Sequence, residues 1–357
     1  MATDYEKFMR EFNQLPSFCQ SFFAAKIDIY EAKTKTAYAL DLKTFFWYMI
    51  DALADRYPYE RISQIKLEDL RTIHEDDILN YMAYLSEYTM KDENGQYLTK
   101  TGRNGKQEII TYSNSPAGKA RKLAALKSFF KYMNVHRGFN HNPAIYIDPP
   151  KIKKRPIVAL SPSEEKKVLK EAQKGTNKST RAQKFHEKTR YRDHSILQTF
   201  LGTGIRISEL AGLDLGDLDL EEMRLLVRRK GGAMDFVYFN KDVAEALLDY
   251  MELERPELLK NGKNPDEQAV YLSNRGSRLC VNRIEAIVKE YGKIALPANV
   301  KVTAHVLRKT FGTSLYNETG DVSLVQNALG HADSSTTTKF YIGFDPERLK
   351  KLRNRKR

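Results

Sequence analysis

The C-terminal half of this sequence holds an ordered series of cationic and imidazole side chains that ends in a tyrosine. They are Arg206 in GTGIRISEL, Lys230 in RRKGG, His305 and Arg308 in TAHVLRKTFGTSLY, His331 in NALGHAD and Tyr341 in TTTKFY. These residue types suit transfer of a phosphoryl group, in which negative charge builds on the non-bridging oxygens and fixed donors must meet it. Arginine does this with a planar fork of N–H groups. His305 and Arg308 stand three apart, so on a helix they share a face and can address one phosphate together. Arg206 follows a Thr203-Gly204 turn, Lys230 adjoins Gly231 and Gly232, and His331 follows Gly330, a helix C-cap after SLVQNAL. Taken singly, each has an ordinary alternative: an ion-paired arginine, a solvated lysine, a surface histidine. Tyr341 is one of 20 tyrosines, so composition cannot select it. Arg228 and Arg229 read as plain phosphate contacts.

Other chemistries lose ground. The sequence has no Gly-x-x-x-x-Gly-Lys-Ser/Thr loop, no Rossmann glycine pattern after a strand and no His-Glu-x-x-His. Neither a nucleotide cofactor nor a metal is expected. Cys19 and Cys280 lie far apart and form no Cys-x-x-Cys pair, and they read as two reduced thiols. The formal net charge of +13 favours a polyanionic partner, nucleic acid or an anionic membrane surface. No apolar run approaches the roughly 20 residues that span a bilayer, and the opening MATDYEKFMREF lacks the apolar core of a signal peptide. A cytoplasmic protein with no membrane partner is expected.

The elements that must position these residues fall into two parts. From about residue 17 to 147 the pattern is helical with aromatic stripes, such as Leu123, Leu126, Phe130 and Met133 in ARKLAALKSFFKYM. The polar stretch at about 91–115, with its QEIITY run, predicts a loop or hairpin between two helices. DPPKIKKRP breaks regular structure, and Ser161-Pro162-Ser163-Glu164 predicts a helix N-terminus with a capping box. Beyond it, MRLLVRRKGGAMDFVYFN predicts two strands around Gly231-Gly232, with Asn240 capping the next helix. The predicted class is mainly α with a small β-sheet: a helical domain over 1–150, a linker over 151–160 and a mixed α/β domain over 161–357.

With all these contexts in order, the chain resembles the tyrosine recombinases, including phage integrases and Xer-type resolvases. The resemblance spans about 161–345 and, more loosely, the helical first half. It implies a core-binding (SAM-like) first domain and a catalytic second domain. It also implies cleavage by Tyr341 to give a 3′-phosphotyrosyl bond, with Lys230 as general acid and His331 bonded to the scissile phosphate. Glu209 would orient its neighbours. One departure stands out: the family places tyrosine nine residues after this histidine, where this chain has Phe340, and Tyr341 is at ten. The partners implied are double-stranded DNA with an inverted-repeat core site and a homotetramer on two duplexes, working through a Holliday junction. In that assembly the tail DPERLKKLRNRKR would be exchanged between protomers, although it also reads as a solvated basic tail. The opening segment is similar to single-recombinase Xer proteins of the XerS type. Chromosome-dimer resolution, mobile-element integration or excision and inversion all remain open. So do two other classes, a type IB topoisomerase-like relaxing enzyme and a non-catalytic DNA-binding protein.

Overall fold

A computed structural model describes residues 3–92, 96–102, 105–152, 159–175, 183, 185–229 and 232–330. Two compact units divide the chain, Met1–Lys154 and Arg155–Arg357. Lys230, His331, Tyr341 and the C-terminal tail lie outside the described residues, as does most of the segment read as a linker.

Helical structure in the first unit begins before residue 17, ahead of the stretch read as helical. Helix α1 (Asp4–Phe12) opens on a capping box in which the Thr3 hydroxyl accepts from the Glu6 amide at 3.1 Å and the Glu6 carboxylate accepts from the Thr3 amide at 2.6 Å. There follow α2 (Cys19–Ala24), α3 (Ala32–Ala52), α4 (Leu67–Arg71), α5 (Glu75–Tyr84) and α6 (Pro116–Arg137). The polar stretch before α6 forms two antiparallel ladders. In one, β1 (Tyr88–Thr89) pairs with β4 (Thr111–Tyr112); in the other, β2 (Thr99–Thr101) pairs with β3 (Gln107–Ile109). The core is aromatic. Phe45 of α3 meets Phe130 of α6 edge to face at 6.0 Å, and Phe22 of α2 meets Phe129 at 5.4 Å. Leu123, Leu126 and Met133 are buried beside them. The Trp47 indole N–H donates to the Thr89 carbonyl at 2.7 Å and so ties α3 to β1. Asp41, fully buried, holds Arg121 at 2.6 Å and Lys122 at 3.0 Å, an ion cluster joining α3 to α6.

In the second unit, α7 (Pro162–Lys174) starts with the capping box of Ser161 and Glu164. Next come α8 (Arg190–Thr203), α9 (Ile207–Gly212) and a three-stranded antiparallel sheet of β5 (Leu218–Asp219), β6 (Arg224–Arg228) and β7 (Met234–Tyr238), in that order. Asn240 caps α10 (Lys241–Leu253) by accepting from the Val243 amide. Helices α11 (Arg255–Leu259), α12 (Val281–Ala295), α13 (Ala304–Thr319) and α14 (Val322–Leu329) complete the described part. Helix α8 packs against α7, α10 and α13. Its Ile196, Leu197 and Phe200 share one core with Leu225, Val227, Val243, Leu247 and Leu307. Its N-terminus is capped from a distance: Glu254, just past α10, accepts from the Tyr191 amide at 2.9 Å and the Arg192 amide at 3.4 Å. No helix among the described residues is long and apolar enough to cross a membrane.

Candidate active site

Helix α8 ends at Gly204 in a left-handed conformation, φ 62°. A Cβ there would lie 2.4 Å from the Phe311 ring of α13, so the turn and the close approach of α13 both require glycine. The Gly204 carbonyl, an acceptor left over at a helix C-terminus, takes a hydrogen bond from Arg308 Nη1 at 2.5 Å. Arg308 is buried on α13, and its Nη2 donates to the carbonyl of Leu329 at the end of α14.

Arg206 occupies the N-cap of α9, two residues beyond Gly204. Its amide donates to Glu209 Oε2 at 2.8 Å, its Nη1 to Glu209 Oε1 at 2.7 Å, and its Nη2 to the Gly330 carbonyl at 2.9 Å. Two guanidinium groups, one from the start of α9 and one from α13, therefore meet at the C-terminus of α14. The carbonyls there are unpaired by the helix and the dipole is negative, which favours cations. The Arg206 side chain is 33% exposed and the Glu209 side chain only 3%. Arg206 thus presents the accessible edge while Glu209 fixes it from inside.

His305 and Arg308 share helix α13 but not its depth. Arg308 is enclosed, whereas His305 is exposed in the first turn. The His305 ring is held below the ordinary histidine pKa by partial desolvation, then by the Lys309 and Arg308 cations. Near neutral pH it is therefore a neutral imidazole, able to donate from one nitrogen and accept at the other.

Arg229 departs from the sequence reading. The sequence reads it as a phosphate contact like Arg228, yet its side chain is 9% exposed and lies between two carboxylates, Glu209 at 3.2 Å and Asp235 at 3.0 Å. Arg228 is exposed. The structure thus brings Arg206 and Arg308 together at the end of α14, sets His305 one turn from Arg308, and adds Arg229. Gly330, the C-cap of α14, directly precedes His331 in the chain. Among the described residues no group of three or more His, Cys, Asp or Glu is placed to hold a metal ion.

Comparison with known proteins gives the family. The family model described as "Phage integrase family" matches residues 151–348. Tyrosine recombinase XerC of Caldanaerobacter subterraneus subsp. tengcongensis is 30% identical over 327 residues, covering 90% of this chain and 81% of that protein. Tyrosine recombinase XerC of Thermodesulfovibrio yellowstonii is 34% identical over 242 residues, covering 68% and 76%. The fold is similar to that of the XerH site-specific recombinase, solved in a post-cleavage complex with a palindromic difH substrate. That match has a TM-score of 0.66 at 24% identity, covering 97% of this chain and 86% of that one. From its family match, its XerC relatives and its fold, the chain belongs to the phage integrase family and is an Xer-like tyrosine recombinase, an enzyme of site-specific DNA recombination.

Proposed function

We propose that the chain, acting in the cytoplasm, cuts double-stranded DNA at an inverted-repeat core site and rejoins it to a partner duplex, with Tyr341 as nucleophile. The phenolic oxygen of Tyr341 gives up its proton to solvent or to the accepting nitrogen of a neutral imidazole and bonds to the scissile phosphorus as the bond to the 5′ oxygen breaks. Lys230 gives its proton to that leaving oxygen. Arg206, Arg308, His305 and His331 stabilise the charge on the non-bridging oxygens. The freed 5′ hydroxyl then attacks the phosphotyrosyl bond of the partner strand. Bond energy stays in the covalent intermediate, so neither ATP nor a metal is called for, and exchange passes through a Holliday junction in a homotetramer on two duplexes. In this reading residues 1–150 grip the core site, 151–160 link, and 161–357 catalyse.

The observation that carries the proposal is the meeting of Arg206 and Arg308 on the carbonyls of Gly330 and Leu329. Two guanidinium groups held at one helix end, one residue before a histidine, form a site for a tetrahedral anion. The experiment uses nicked suicide duplexes carrying the inverted repeat from the DNA flanking the gene. The full-length protein should form a denaturant-resistant protein–DNA adduct, Tyr341→Phe should form none, and Arg308→Ala should lower the rate on the order of 10²-fold or more. An adduct that survives in Tyr341→Phe assigns the nucleophile elsewhere. Relaxation of plasmids lacking any repeat would favour a topoisomerase instead.

A further inference from the structure

Arg229 stands at the mouth of the β6–β7 turn with its backbone committed on both sides. Its amide donates to the Ala233 carbonyl at 2.7 Å, and its carbonyl accepts from the Gly232 amide at 3.1 Å. Its guanidinium points inward against Gly330, where a Cβ would lie 2.6 Å from Arg229 Cζ. One edge donates to Glu209 Oε2 and the other to Asp235 Oδ2.

The charges explain what this placement does. Glu209 with Arg206 alone would be a neutral pair, and a neutral pair attracts a phosphate weakly. Arg229 adds a second cation to the same carboxylate, and the triad of Arg206, Glu209 and Arg229 carries one net positive charge. Glu209 and Arg229 are enclosed, with side chains 3% and 9% exposed, so that charge is poorly screened by water. Asp235 could cancel it, but it is 47% exposed and lies on the opposite edge of Arg229, where solvent weakens its effect.

We propose that Arg229 is a positioning residue of the active site: by engaging Glu209 it orients that carboxylate and offsets its charge, leaving the positive field of Arg206 for the scissile phosphate. The proposal rests on the active-site reading above.

The test compares adduct formation on a normal scissile phosphate with that on a methylphosphonate at the same position, which carries no non-bridging charge. With Arg229→Gln, duplex affinity should stay within about threefold, while cleavage of the normal phosphate falls on the order of tenfold or more. On the methylphosphonate the variant should lie within about threefold of wild type, because that diester carries one negative charge fewer for the missing cation to meet. An equal loss on both substrates means a purely structural role and overturns the proposal. So does Arg229→Gln cleaving the normal phosphate at the wild-type rate. Asp235→Asn keeps the contact to Glu209 and should cleave normally; a loss equal to that of Arg229→Gln would make the hairpin tie, not the charge on Glu209, the operative contact. Should Arg229→Gln fail to fold, Arg229→Lys decides. It keeps the charge, so cleavage of each substrate should stay within about threefold of wild type, and a loss of tenfold or more on either overturns the proposal. If wild type forms no adduct on either substrate, the active-site reading itself falls; wild-type adduct with an indifferent Arg229 removes only the inference.

Discussion

Gly330 shows how narrowly the site is built at the scale of single residues. It ends α14 at φ 58°, lends its carbonyl to Arg206, and leaves room for Arg229 where a side chain would begin. Gly330→Ala should therefore lose on the order of 1–2 kcal/mol from the left-handed backbone alone. It should also displace Arg229 and slow cleavage. Urea unfolding and adduct kinetics together check this; unchanged stability with unchanged cleavage would refute it. Arg206 and Arg308 are legible in the sequence because their neighbours, the Thr203-Gly204 turn and the His305 spacing, are local. Glu209 is legible because it lies three residues from the N-cap it serves. The use made of Arg229 is not legible. Its partners Glu209 and Gly330 are distant in the chain, and burial, which separates it from the exposed Arg228, is set by tertiary packing.

At the scale of elements, α8 is the strut on which the site stands, since it ends at Gly204 and begins at the cap supplied by Glu254. Burial pushes the Glu254 carboxyl up from its ordinary 4.5 to about 7, more than its hydrogen bonds from the Tyr191 and Arg192 amides and the nearby Arg192 charge can offset. A carboxyl whose pKa is raised on folding favours the folded state while it stays protonated. The contribution of Glu254 to stability is thus full below about 4.5, falls as pH rises through the window to about 7, and then levels off. The loss is on the order of 3 kcal/mol. Glu254→Gln cannot ionise but retains an acceptor oxygen, so its unfolding free energy should lack that fall; an unaltered pH slope would show that Glu254 does not titrate there. Local signals explain which elements the sequence reveals. Ser161 and Glu164 mark α7, Asn240 marks α10, and the paired runs around Gly231-Gly232 mark the hairpin. The same signature, Thr3 with Glu6, together with Tyr5, Phe8, Met9 and Phe12 at helical spacing, marks α1, a nine-residue helix that a reading begun at about residue 17 passes over. A cap reaching 63 positions along the chain, from Glu254 to Tyr191, has no sequence signature at all.

The molecule as a whole pairs two separately built cores with a net charge of +13. Its class, mainly helical with small sheets, is legible from composition and periodicity, because each core is made mostly by helices whose stripes are read locally. The chemistry is legible only from the order of several contexts, since no single residue among them is distinctive. The arrangement of aromatic residues has a practical consequence. Trp47 is the sole tryptophan of the sequence, and it is buried in the first unit with its indole bonded to Thr89. Intrinsic tryptophan fluorescence is therefore a reporter confined to the first unit, while far-ultraviolet circular dichroism sums the helices of both. Because each unit buries its own apolar cluster, a denaturant titration should show two dichroism steps, with the emission shift following just one of them. A single transition common to both signals would mean that the two units unfold as one cooperative body.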